Sequence, residues 1–147
     1  MRFARFGQHG DALGDLSGVL SATRERGVDG TDELTITCTG EVAKYDRLVW
    51  RDPMGRWVES MAYEVSEQRG DSAPVTTVYA GPGWRELSRT VIVEREGRGY
   101  TAQQALAKVL DGTRWEAGVC SDAGTRDVSW YHTDALTALK QVAEAYG

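Results

Sequence analysis

The stretch "LVWRDPMGRWVESMAYEVSE" (48–67) decides the fold class, because it reads as two strands around a tight turn. Asp52-Pro53-Met54-Gly55 puts Pro at the second turn position and Gly at the fourth, the preference of a type I turn. Beyond the turn, Trp57, Met61, Tyr63 and Val65 fall on one face, broken by Glu59, while Val58, Ser60, Ala62, Glu64 and Ser66 make a more polar one. Period-two spacing of this kind predicts a strand packed on one side. Upstream, "LTITCT" (34–39) alternates Leu34, Ile36 and Cys38 against three threonines. "VTTVYA" (75–80) and "TVIVERE" (90–96) are rich in β-branched residues and read as further strands. "SATRERGVDGTDE" (21–33), "EQRGDSAP" (67–74) and "GPGW" (81–84) supply connections. The 17 glycines in 147 residues suit a sheet with many turns.

The character changes near Gly97. "REGRGYTAQQALAKVLDG" (95–112) is a linker followed by a helix, with Thr101 and Gln104 in capping-box spacing. Ala102, Ala105, Leu106, Val109 and Leu110 line one face of that helix. A second helix opens at Thr133 and carries an apolar stripe of Leu136, Leu139, Val142, Ala143 and Tyr146. Between the helices, "RWEAGV" (114–119) and "DVSWY" (127–131) read as strands joined by a polar loop, "CSDAGTR" (120–126). The expected order is α-β-β-α, and the expected fold class is α+β with mostly antiparallel β first. The expected division is a β-rich domain over 1–97 and an α-β-β-α segment over 98–147 that begins a second domain.

Composition excludes several function classes. With 41% apolar and 27% charged residues the chain reads as a soluble globular protein. No apolar run approaches the roughly 20 residues of a membrane span. A net charge of −5 argues against a general nucleic-acid surface, although 14 of the 17 basic residues are Arg, which leaves room for a local basic patch. Cys38 and Cys120 lie far apart with no metal-ligand spacing, so both read as buried reduced thiols. No cofactor and no metal are expected.

Candidate chemistry is scattered. His9 has Asp11 two residues on, the beginnings of a base and its orienting carboxylate, yet no nucleophile motif accompanies it, and a solvated loop histidine is the plainer account. His132 follows Trp130-Tyr131 directly before a helix and reads as part of the helix start. Asp32-Glu33, Asp52 with Glu59, and Glu94 with Glu96 are the nearest carboxylate pairs for acid–base work, and each sits where solvated surface is expected. "GPGWRE" and "EGRGY" lack the glycine spacing of phosphate loops. Trp50, Trp57, Trp115 and Trp130 lie inside predicted strands and read as core, which leaves Trp84 as the aromatic available to a ligand. In "VLDGTRWEAGV" (109–119) polar residues crowd a glycine and a tryptophan. This reads as a packing corner where the first helix ends. No catalytic, cofactor-binding or metal-binding residue is assigned.

The last third resembles the N-terminal region of phage minor structural proteins of the prophage tail endopeptidase or tail-associated lysozyme type. The residues carrying the resemblance are "YTAQQALAKVLDGTRWEAGV" (100–119) and, after a polar loop, "VSWYHTDALTALKQVAEAYG" (128–147). "DELTITC" (32–38), "VWRDPMGRWVES" (49–60) and "WRELSRTVI" (84–92) sit upstream in the family's order, so the likeness covers roughly 15–147. The resemblance implies a barrel-like hub, similar to the baseplate hub of contractile-tailed phages. It implies a virion tail-tip protein, in the host cytoplasm before assembly, that forms a trimer and meets distal tail and tape-measure proteins. It implies no nucleic-acid partner and no catalytic residue in this region, with peptidase or lysozyme modules downstream in a longer protein. The alternatives are a cell-wall hydrolase using His9 and Asp11, and a module binding host-surface glycan or protein through Trp84.

Overall fold

A computed structural model describes residues 1–28, 30–69, 74–121 and 124–147. Parts of three expected loops, at 29, 70–73 and 122–123, lie outside the described residues. The described residues form mostly antiparallel β structure with a few helices, an α+β fold, in two compact units, Met1–Gly83 and Trp84–Gly147.

In the first unit the strands are β1 (Ala4–Phe6), β2 (Ala12–Asp15), β3 (Val19–Arg26), β4 (Asp32–Cys38), β5 (Arg47–Arg51), β6 (Trp57–Gln68) and β7 (Val75–Pro82). They form one antiparallel sheet in the order β2-β1-β5-β6-β7-β4-β3. The two edge strands, β2 and β3, are consecutive in the chain and joined by Leu16-Ser17-Gly18 alone. A flat sheet would hold them about 29 Å apart at ~4.8 Å per ladder step. That link reaches at most about 14 Å. The sheet therefore curls. Across the curl, the Arg24 guanidinium of β3 lies 5.1 Å from the ring centroid of Trp50 in β5, although four ladder steps separate the strands. Gly18 serves the link with φ +61°, a left-handed conformation that disfavours any side chain. No ladder among the described residues joins β2 to β3, so the barrel expected from the resemblance is not closed by these pairings.

The concave face buries Phe3, Leu34, Ile36, Cys38, Leu48, Trp50, Ala62, Val78 and Ala80 in one cluster. The alternation read in β4 holds, with Leu34, Ile36 and Cys38 inward. The 48–67 hairpin also forms. Asp52 Oδ1 accepts from the backbone N–H of Met54 and of Arg56, each at 2.9 Å, and Oδ2 accepts from the Arg56 guanidinium. The faces of β6 differ from expectation. Val58, Ser60 and Ala62 point inward, and Trp57 is 65% exposed. A bulge between Ala62 and Glu64 explains this, because one extra residue exchanges the two faces and brings Val65 onto the core.

The second unit begins one residue into a 3-10 helix, Gly83–Arg89, which is followed by β8 (Val91–Tyr100), α1 (Ala102–Leu110), β9 (Arg126–Asp134) and α2 (Ala135–Tyr146). β8 and β9 pair antiparallel from Val91↔Asp134 to Tyr100↔Arg126. The expected strand at 114–119 is absent, so the α-β-β-α order is corrected to β-α-β-α. β9 takes β8 as its ladder partner, and residues 115–120 carry no regular structure. Trp115 and Ala117 instead pack against the helical core. α1 has the expected capping box, with Thr101 and Gln104 satisfying each other's backbone N–H groups. α2 begins two residues later than expected, at Ala135, with Asp134 as its N-cap accepting from the Thr137 N–H and hydroxyl.

Candidate functional site

The corner at 109–119 is built by long-range bonds. Leu110 closes the buried stripe of α1, and Gly112 at φ +76° reverses the chain. Thr113 donates from both its N–H and its hydroxyl to the Leu110 carbonyl, and Thr113 Oγ1 accepts from the Trp115 N–H at 3.1 Å. Glu86, in the 3-10 helix, then clamps the next two residues. Its Oε1 accepts from Arg114 Nε at 2.5 Å and from Trp115 Nε1 at 2.6 Å. The Arg114 guanidinium sits 4.5 Å from the centre of the Trp115 ring. The corner thus pins the indole against the helices, and Thr113 and Arg114 are occupied in doing so.

The pinned segment forms one wall of a groove of about 720 Å³ within the second unit. Leu106 and Leu110 of α1 and Leu136, Leu139 and Tyr146 of α2 form the other walls, with Trp84 alongside and Glu116 and Lys140 among the lining side chains. α2 divides its apolar residues between two uses. Ala135, Ala138 and Val142 are buried, while Leu136, Leu139 and Tyr146 are only partly covered. A lining of this kind holds apolar side chains by burial and supplies little for proton transfer.

The residues singled out from the sequence are not brought together. His9 is exposed and meets Gln8 Nε2 at 3.0 Å. Asp11 is exposed. His132 stacks edge-on against Tyr131 at 4.2 Å in β9 and adopts φ +44°. Asp32 binds Arg24 through two bonds of 2.6 Å, which hold its carboxyl below the ordinary range against the opposing effect of burial. Asp52 is held low first by the Arg56 backbone N–H, and serves its turn. Glu94 and Glu96 are exposed on β8. Cys38 is fully buried, which raises its thiol pKa, whereas Cys120 is half-buried on the groove wall, so the expectation of two buried thiols holds for one. Trp50 and Trp130 are core residues as expected, and Trp84 is 40% exposed. Among the described residues no cluster of three metal-ligating side chains occurs, and no helix is long and apolar enough to cross a membrane. Sequence reading missed Glu86 and Arg95. Arg95 donates to the carbonyls of Lys108, Val109 and Asp111 at the end of α1.

Residues 90–147 match the family model of the prophage endopeptidase tail domain. The chain resembles phage tail-associated proteins. The match begins at β8 and contains both helices and the corner between them. The fold is similar to that of a tail protein from Neisseria meningitidis MC58, with a TM-score of 0.59 at 11% identity. That similarity covers 97% of this chain and 45% of the Neisseria protein, so the chain spans less than half the length of that tail protein. No curated protein matches the chain.

Proposed function

We propose that this chain is a structural part of a phage or prophage tail, the N-terminal part of a hub-like protein at the tail tip. The observation that carries this reading is the match of 90–147 to a prophage tail domain, over the segment whose corner Glu86 holds in place. Similarity of fold along 97% of the chain to a tail protein supports it. In this reading the curled sheet of the first unit serves as a barrel-like hub element. The protein self-associates, as a trimer in the assembled tail, and meets the distal tail and tape-measure proteins. Its role here is assembly and not catalysis, and any peptidase or lysozyme module belongs to another part of a longer protein. Its place is the virion tail tip, after synthesis in the host cytoplasm. The test is mass spectrometry of purified tails, with sedimentation of the full-length gene product and imaging of labelled particles. The expected result is the product in virions, located at one end of the tail, and oligomeric in solution. A product that is monomeric and absent from virions sinks the proposal.

A further inference from the structure

A second feature lies on the outer face of the first unit. Phe3, Leu48 and Trp50 point into the core, so their alternating neighbours Arg2, Ala4, Val49 and Arg51 point outward. Ala4 stands opposite Val49 on one side and Asp15 on the other, and Arg51 stands opposite Trp57. Together with Met1, these six side chains line a groove of about 330 Å³. Its floor is Ala4 and Val49. Its wall is the Trp57 indole, 65% exposed and fixed in orientation by the Arg51 guanidinium, 4.3 Å from the ring centroid. Arg51 is itself tied to the Gly55 carbonyl at 3.3 Å, and Arg2 Nε donates to Asp15 at 2.9 Å. The groove therefore holds two guanidiniums, one carboxylate and a flat aromatic plate over a small apolar floor.

We propose that this groove binds a carboxylate-bearing saccharide. A sugar ring has a C–H face that stacks on the electron-rich face of an indole, and Trp57 leaves such a face open. Sugar hydroxyls pair with planar groups that offer two donors or two acceptors, and Arg2, Arg51 and Asp15 provide both kinds. Two guanidiniums against one carboxylate leave one positive charge in excess, which selects an acidic sugar over a neutral one. The groove volume lies at the lower end of small-ligand sites, which span roughly 300–1,000 Å³. An extended peptide fits less well, because β1 and β5 are paired on both sides and offer it no backbone edge.

The test titrates the isotope-labelled full chain with galacturonic acid trisaccharide and follows N–H resonances by NMR, with the Trp57 indole assigned through Trp57→Phe. The expected result is a saturable shift of the Trp57 indole and of the Arg51 side-chain N–H. Affinity should fall roughly tenfold in Trp57→Ala, the loss that one stacked aromatic contact carries. It should fall also in Arg51→Met and for the neutral galactose trisaccharide. Trp57 is mostly exposed, so the remaining resonances of Trp57→Ala should stay in place and report an intact fold. The proposal is overturned by an absence of saturable shifts, by shifts unchanged in Trp57→Ala, or by equal binding of the neutral sugar, acetate or a short oligothymidylate.

Discussion

Replacing Arg95 by Met removes a single guanidinium that closes the C-terminal end of α1 from a neighbouring strand. Its Nη1 donates to the carbonyls of Lys108 at 2.7 Å and Val109 at 3.0 Å, and its Nη2 to that of Asp111 at 2.9 Å. The last four carbonyls of a helix have no partner within it, so Lys108 and Val109 depend on this side chain or on water. The Asp111 bond is exposed, and water can replace it at little cost. The two half-buried bonds stabilise by about 1 kcal/mol each, and a cation at a helix C-terminus adds about 0.5 kcal/mol. Arg95→Met should therefore cost the second unit roughly 2–3 kcal/mol. Hydrogen exchange read on the amides of α1 should speed up by about 30- to 150-fold, with a matching loss in urea unfolding. Arg95→Lys keeps the charge but loses the fork, and should cost about half as much. A cost for Arg95→Met within about 0.5 kcal/mol of zero, or an equal cost for Lys and Met, would refute the capping role.

Gly112→Val should destabilise the chain by about 1 kcal/mol or more through φ +76° alone, since a Cβ there meets nothing within 4 Å. An unchanged melting temperature contradicts it. Trp50→Ala should cost about 3–5 kcal/mol by emptying the core, while Trp57→Ala should stay within roughly 0.5 kcal/mol. Equal costs in urea unfolding would reverse the assignment of the β6 faces. The carboxyls of Asp32, Asp52 and Asp134 are held low. The Arg24 bonds do this for Asp32, the Arg56 backbone N–H does it first for Asp52, and at Asp134 burial raises the carboxyl but the Thr137 bonds and the backbone N–H groups of Asp134 and Leu136 together outweigh it. Groups lowered on folding contribute stability above the unfolded carboxylate value of about 3.9 and lose it as pH falls through their folded values. The urea midpoint should therefore decline below about pH 4, and less steeply in Asp52→Asn. A flat profile from pH 5 to pH 2 would contradict these assignments.

The corner at 109–119 shows how far sequence reading reached into the candidate site. Its glycine reversal and its packed tryptophan were legible, because turn chemistry and helix ending are set by a few adjacent residues. Its clamp was not, because Glu86 stands 28 residues before Arg114 and nothing in local spacing marks the pairing. Trp57 departs from expectation for a related reason. Straight alternation along β6 puts Trp57 on the face of Val65, and the bulge at Ala62/Glu64, set by pairing with β7, exchanges the two faces. The expected strand at 114–119 failed on the same ground. Trp115 and Ala117 are held against the helical core, with the indole bonded to Glu86, and these contacts with distant residues keep the segment out of a ladder.

By itself the sequence determined the antiparallel β character, the Asp52–Gly55 turn, the capping box of the first helix and the resemblance to tail-associated proteins. The first three rest on propensity and spacing within about ten residues, where backbone sterics and local hydrogen bonds decide, and the resemblance rests on the order of such stretches along the chain. Only the tertiary structure decided which strands pair and which face is buried. It showed that β2 and β3, neighbours in the chain, stand at opposite edges of a sheet that must curl to let three residues join them. Those outcomes follow from burial and ladder bonds between distant segments, and their free energy exists only once the segments have met.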